Sequence, residues 1–298
     1  MPLRSFEELL GKVKSTRRRT VALIEADDAH ALEAVIAARD IVSAVLVGNK
    51  ERICAALREL GESPSKYEIE QVASGVHPAI AAAQLIHQGR AHFLMKGNIM
   101  TGPLLKGVLS RESNLRTGRL MSHLMIVELP GYPKLLAISD GGMCVNPDLN
   151  EKRQIVENAV EFLHGVGYER PTIAALCAIE TINPKMVETV DASELHRMSV
   201  DGTLKGCYVE GPISYDLAMV PEMGRIKGYR TDYAGEFDML LAPQIVVANS
   251  LCKCMVYTCG GKNAGLILGC KVPVVLSSRG ASAQEKYYSL ALGAGVCE

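Results

Sequence analysis

Hydrophobic residues along this chain gather in strand-length runs separated by amphipathic stretches of helix length. Val21–Leu23, Ala44–Val47, Tyr67–Val72 and His92–Met95 read as strands, with Asp28–Arg39, Lys50–Leu60 and Pro78–Gln88 as the helices between them. The middle differs: Leu120–Leu129 and Lys134–Ser139 are apolar runs around Pro130-Gly131-Tyr132-Pro133, which predicts an antiparallel hairpin. Alternation then resumes with helices predicted over 149–163, 184–198, 214–225, 245–258 and 283–292, and strands over 172–176, 207–209, 239–241 and 272–276. The pattern predicts an α/β chain with a largely parallel sheet covered on both faces. The expected division is residues 1–137 plus 277–298 as a first α/β domain and 138–276 as a second.

At 298 residues and 48% hydrophobic, the chain can bury a sizeable core. With 32 basic and 33 acidic residues the net charge is -1, which favours neither nucleic acid nor an anionic membrane as partner. The run Arg17-Arg18-Arg19 is too short to change that reading. The N-terminus has an amphipathic helix pattern without an apolar leader, and no apolar run approaches the roughly 20 residues of a membrane helix. A cytoplasmic location is expected. Nine cysteines occur at irregular spacing, and none forms a C-x-x-C pair. Reduced thiols and no metal site are expected.

Three loops combine glycine with polar or charged side chains. Lys96-Gly97-Asn98-Ile99-Met100-Thr101-Gly102 follows a strand and opens a short helix. Backbone N–H groups there can hold an anion, Lys96 and Lys106 add charge, and Thr101 can cap the helix or bind a phosphate oxygen. A capped helix with exposed lysines accounts equally well for the spacing. Ser277-Ser278-Arg279-Gly280 also follows an apolar run, where an arginine can clamp phosphate and a serine can donate to an oxyanion. An ordinary serine cap with a salt-bridged arginine is the alternative. Asp140-Gly141-Gly142 has the composition of a site loop, although turn chemistry alone would also explain it. The seven histidines form no catalytic pattern, and His123 reads as partly buried and satisfied. No G-x-S-x-G elbow is present.

Taken in order, a set of segments resembles the phosphate acetyl/butyryltransferase family over nearly the whole chain. They are Ala26-Asp27-Asp28-Ala29-His30, Leu94-Met95-Lys96-Gly97, Leu115–His123, Asn146-Pro147-Asp148-Leu149, Asn183–Ala192, Gly211–Asp216 and Pro273–Arg279. The resemblance is closest to the butyryl branch. It implies an isocitrate/isopropylmalate dehydrogenase-like fold of two α/β domains with an interdomain cleft, in a homo-oligomer. It also implies the reaction of acyl-CoA with inorganic phosphate to give acyl phosphate and CoA, with coenzyme A as substrate and no other cofactor.

The resemblance places Ser278 and Arg279 at the family's active-site pair and Glu285 where the acetyl branch has its proposed base. Lys106 falls where that branch has a phosphate-binding arginine. Asp140, Asn249 and Lys253 match further family positions, and Lys96 and Thr101 complete the expected substrate-binding set. Cys144 stands in place of the usual Asn, Gln244 in place of Pro-Asp, and Ala248 in place of Gly. These departures keep a second reading in view, a CoA- or acyl-phosphate-binding homologue with impaired catalysis. A metal- and NAD-dependent dehydrogenase of the same fold is a third, disfavoured by the lack of a suitable Asp-x-x-x-Asp pair.

Overall fold

The computed structural model describes residues 2–276 and 280–296. The chain forms two compact units: a central unit of Met1–Phe6 and Leu120–Asn263, and a terminal unit of Glu7–Arg119 and Ala264–Glu298.

The terminal unit holds α1 (Phe6–Lys14), β1 (Arg19–Ile24), α2 (Ala29–Ala37), β2 (Val42–Gly48), α3 (Lys50–Glu59), β3 (Glu68–Gln71), α4 (Pro78–His87), β4 (Phe93–Lys96) and α5 (Thr101–Val108). β1 pairs in parallel with β2 and β4, and β2 with β3, so all four C-terminal ends lie on one edge. Val21, Ala22, Leu23 and Ile24 are fully buried, as a strand covered on both faces requires. Helix starts are written locally. Asp28 accepts the Ala31 N–H at the head of α2, and Asn49 accepts the Arg52 N–H at the head of α3.

The central unit contains β5 (Ser122–Glu128), β6 (Leu136–Ser139), α6 (Leu149–Gly165), β7 (Thr172–Leu176), α7 (Val187–Asp201), β8 (Tyr208–Ile213), α8 (Tyr215–Met219), α9 (Pro221–Lys227), β9 (Met239–Leu241) and α10 (Ile245–Lys253). β5 and β6 form the predicted antiparallel hairpin, with Met125 opposite Ile138. β6, β9, β7 and β8 then run parallel in that spatial order. Val127, Leu136 and Ile138 from the hairpin share one core with Leu176, Phe237 and Leu240. Burying a side chain the size of Phe237 stabilises by about 2–3 kcal/mol. A reciprocal capping box, Asp148 with Glu151, starts α6.

β10 (Lys262–Leu268), β11 (Val274–Val275) and α11 (Ala283–Gly295) follow. β11 lies parallel to β4, β10 antiparallel to β11, and α11 packs in the terminal unit. Among the described residues no helix is long and apolar enough to cross a membrane.

Several expectations are corrected. The chain crosses between units at 119/120 and 263/264, not at 137/138 and 276/277, because the hairpin completes the central core. The strand β10 was not anticipated, and it makes the terminal sheet mixed. The helix predicted over 214–225 is two helices broken at Val220, whose φ of −126° and ψ of 106° are extended. Pro221 disfavours helical backbone at the residue before it. The helix predicted over 245–258 is α-helical only to Lys253, then widens into a π turn, Cys254–Thr258.

Candidate active site

In the central unit, chemistry-bearing groups meet beyond the C-terminal ends of β6 and β9. Asp140 follows β6 and is 2% exposed. Its carboxylate accepts the N–H groups of His123 (2.7 Å), Gly142 (2.8 Å) and Met143 (2.7 Å). Ser139 Oγ donates to the His123 carbonyl at 2.8 Å, so the loop is tied to β5 twice. Gly142 lies against the His123 imidazole, where an added Cβ would sit 3.0 Å from Cγ. The loop is therefore a backbone frame, and Asp140 is its keystone acceptor.

The N-terminal half of α10 closes this frame. Ile245 N–H donates to the Val145 carbonyl, and Asn249 Nδ2 donates to the Gly141 carbonyl at 3.0 Å. Asn249 and Lys253 are exposed on α10. The structure thus joins Asp140 and Asn249 through Gly141 and sets Lys253 one turn further along the same helix. His123 is buried, as expected, but its Nδ1 has no partner among the described residues. Burial pushes the imidazole below its ordinary range, and the Asp140 charge offsets this only in part. Burial, then the Asp140 charge, pushes the Cys144 thiol far up. A thiol held protonated is a poor nucleophile.

In the terminal unit, the loops after β1 and β4 interlock. Gly97 N–H donates to the Ile24 carbonyl and Asn98 N–H to the Glu25 carbonyl, each at 2.8 Å. Only glycine fits at 97, because a Cβ would lie 2.3 Å from the Glu25 carbonyl oxygen. Glu25 has a left-handed backbone, φ 53°. Burial, then the charge of Asp27, pushes its carboxyl above the ordinary range, with Arg52 and His77 opposing. Arg52 forms an ion pair with Asp27, whose Oδ1 is buried without a partner among the described residues.

Lys96 ends β4 and is half-buried beside Gly97, its Nζ donating to the Gly97 carbonyl at 3.4 Å. Thr101 opens α5 but does not cap it: the cap position is Met100, with no side-chain hydrogen bond. That corrects one of the two expected roles. Lys106 is exposed in the last turn of α5. Glu285 is half-buried in the first turn of α11, its N–H donating to the Ser282 cap. Ser278 and Arg279 lie outside the described residues. Sequence reasoning passed over Glu25, Arg52 and His77. Only the Ala26-Asp27-Asp28 segment beside them carried a signal.

Residues 59–294 match the family model described as phosphate acetyl/butaryl transferase. The chain is 39% identical over 296 residues to the phosphate butyryltransferase of Clostridium acetobutylicum, covering 99% of this chain and 98% of that one. It is 37% identical to the phosphate acetyltransferase of Thermotoga maritima, covering 97% and 99%. The crystal structure of a branched-chain phosphotransacylase from Enterococcus faecalis V583 superposes with a TM-score of 0.82 at 31% identity, covering 93% and 99%.

These likenesses correct the expected isocitrate/isopropylmalate dehydrogenase-like fold. The α/β class holds, but the shared shape is that of phosphotransacylases. A dehydrogenase likeness exists to 4-hydroxythreonine-4-phosphate dehydrogenase from Klebsiella pneumoniae, at a TM-score of 0.54 and 12% identity, and concerns fold alone. The dehydrogenase-like expectation rests on the family resemblance and not on strand–helix alternation, which dictates layering but leaves strand order open.

Proposed function

Because this chain belongs to the phosphate acetyl/butyryl transferase family, we propose that it is a butyryl-type member with its chemistry in the loop after β11. The chain is a phosphate acyltransferase, converting acyl-CoA and inorganic phosphate to acyl phosphate and CoA. The observation that carries this reading is 39% identity to a phosphate butyryltransferase over 99% of the chain. Butyryl and branched short acyl groups are the proposed substrates.

In the reverse direction the CoA thiol must lose a proton, attack the acyl phosphate carbonyl and pass through a tetrahedral oxyanion. A free thiol titrates near 8.5, so a nearby carboxylate suffices as base, and Glu285 takes that role. Ser278 donates to the oxyanion, an interaction worth about 3 kcal/mol in comparable sites. Arg279 holds the phosphate in a bidentate fork. Lys96, Thr101 and Lys106 supply further contacts to anionic oxygens. Lys253 serves CoA phosphates, while Asn249 and Asp140 keep the glycine loop in place. Direct transfer between two bound substrates needs no covalent enzyme intermediate and no resident cofactor. The working form is a cytoplasmic homo-oligomer.

The test is phosphate-dependent CoA release measured with acetyl-, propionyl-, butyryl- and isobutyryl-CoA, without added metal or NAD. The highest kcat/KM is expected with a four-carbon acyl group. A clear preference for acetyl-CoA would refute the butyryl assignment. No release from any of them would favour the impaired homologue suggested by Cys144 and Gln244.

A further inference from the structure

Two cysteines among the described residues are exposed, Cys254 and Cys259, and the fold holds them together. They bracket the π turn that follows Lys253. Cys259 N–H donates to the Cys254 carbonyl at 3.0 Å, which closes the turn. An i→i+5 turn brings these two residues onto neighbouring turns, and burial, then the neighbouring Cys254, pushes the Cys259 thiol up. A disulfide needs Cα atoms roughly 4.4–6.8 Å apart, a spacing compatible with a backbone hydrogen bond between the same residues. Gly260, with φ 71°, follows directly and lets the Cys259 backbone adjust. The other described cysteines are less accessible: Cys54, Cys144 and Cys270 are half-buried and Cys177, Cys207 and Cys252 are buried.

We propose that Cys254 and Cys259 form an oxidant-responsive dithiol site that takes hydroperoxides and closes to a reversible disulfide. One thiolate attacks the peroxide O–O bond, becomes a sulfenic acid and releases water. The second sulfur attacks the first and expels a second water as the S–S bond forms. Two electrons leave the sulfur pair, and they reduce one hydrogen peroxide to two waters. The bridge forms immediately after α10, the helix that carries Asn249 and Lys253. Resting on the functional reading above, oxidation shifts Lys253 relative to the CoA phosphates and raises the KM for acyl-CoA.

The site is read first without any assay of activity. Trypsin cleavage after Lys253 and Lys262 places both cysteines in one peptide, 254–262. The full chain is treated with hydrogen peroxide, alkylated and mapped by mass. The expected product is this peptide two hydrogens lighter and unalkylated, restored by dithiothreitol and absent from Cys259→Ser. Both cysteines remaining alkylatable, a link to a second chain, or over-oxidation to sulfinic acid would each overturn the proposal. Oxidised enzyme should show a several-fold higher KM for acyl-CoA, reversed by dithiothreitol and missing in Cys259→Ser. A bridge that leaves KM unchanged would refute the coupling to Lys253. Absence of CoA release from the reduced enzyme would count against the functional reading and leave the mass result standing.

Discussion

Asp140 and Glu25 are both acidic residues that follow a parallel strand, one in each unit, and they are used in opposite ways. Asp140 is buried, and three backbone N–H groups converge on its carboxylate. Glu25 is half-buried on left-handed backbone, and its carboxylate accepts no hydrogen bond among the described residues. Converging donors satisfy the lone pairs of a carboxylate and turn it into scaffolding. Without them, desolvation and the neighbouring Asp27 leave Glu25 with a raised proton affinity. Both are carboxylates at a strand end, and the local backbone decides whether the group is held by donors or left with raised proton affinity.

If the central loop is frame and the terminal loops are where chemistry happens, substitutions should divide into those that cost stability and those that cost rate. The largest effect is expected from Asp140→Ala. It removes the acceptor of one buried and two partly buried donors, each bond worth about 1–3 kcal/mol, so unfolding in urea should lose about 3 kcal/mol or more. A denaturation midpoint close to that of the parent would show that the loop does not depend on its acceptor.

Arg279→Ala should reverse the pattern, lowering turnover by about 100-fold with an unchanged melt. Arg279→Lys should restore only part, since a point charge cannot reproduce a fork. Steady-state kinetics with phosphate varied, alongside a thermal melt, make the comparison. A variant that mainly unfolds would move Arg279 to the structural side.

Gly97→Ala comes next. Its Cβ would lie 2.3 Å from the Glu25 carbonyl oxygen and 2.7 Å from that of Ile24, and neither backbone atom can swing aside. About 2 kcal/mol of stability should be lost. Because the displaced loop carries Lys96 and leads into Thr101, KM for phosphate should also rise. A stable variant with parental kinetics would show that the two loops are not locked together.

The smallest effect tests the sign of the Glu25 titration. Its native proton affinity is raised above that of the unfolded chain. Its contribution to stability is therefore fully present below the ordinary carboxylate range and is lost as pH rises through the elevated native value. Glu25→Gln should match the parent in acid and be slightly more stable at neutral pH. A gap that opens on acidification instead would mean that Glu25 gains a partner when charged.

Much of the fold was legible from local signals. Alternating apolar runs and helix-length segments marked most strands and helices, and Pro130-Gly131-Tyr132-Pro133 marked the hairpin. The ordered motifs identified the family. The misses have different causes, one a partner strand and the other a local proline. β10 is a strand because β11 accepts it as a partner, and Val220 breaks a helix only because proline follows.

The candidate site was legible in composition and illegible in role. The sequence by itself determined the α/β class, the family and which loops carry glycine beside charge, because periodicity and residue type are local properties of the chain. Tertiary structure alone decided that Asp140 is consumed by backbone donors and that Gly97 is pressed against Glu25. Each depends on where N–H groups and carbonyls converge in space. Hydrogen-bond satisfaction and steric fit are set at distances of a few ångströms between atoms that the chain order does not bring together.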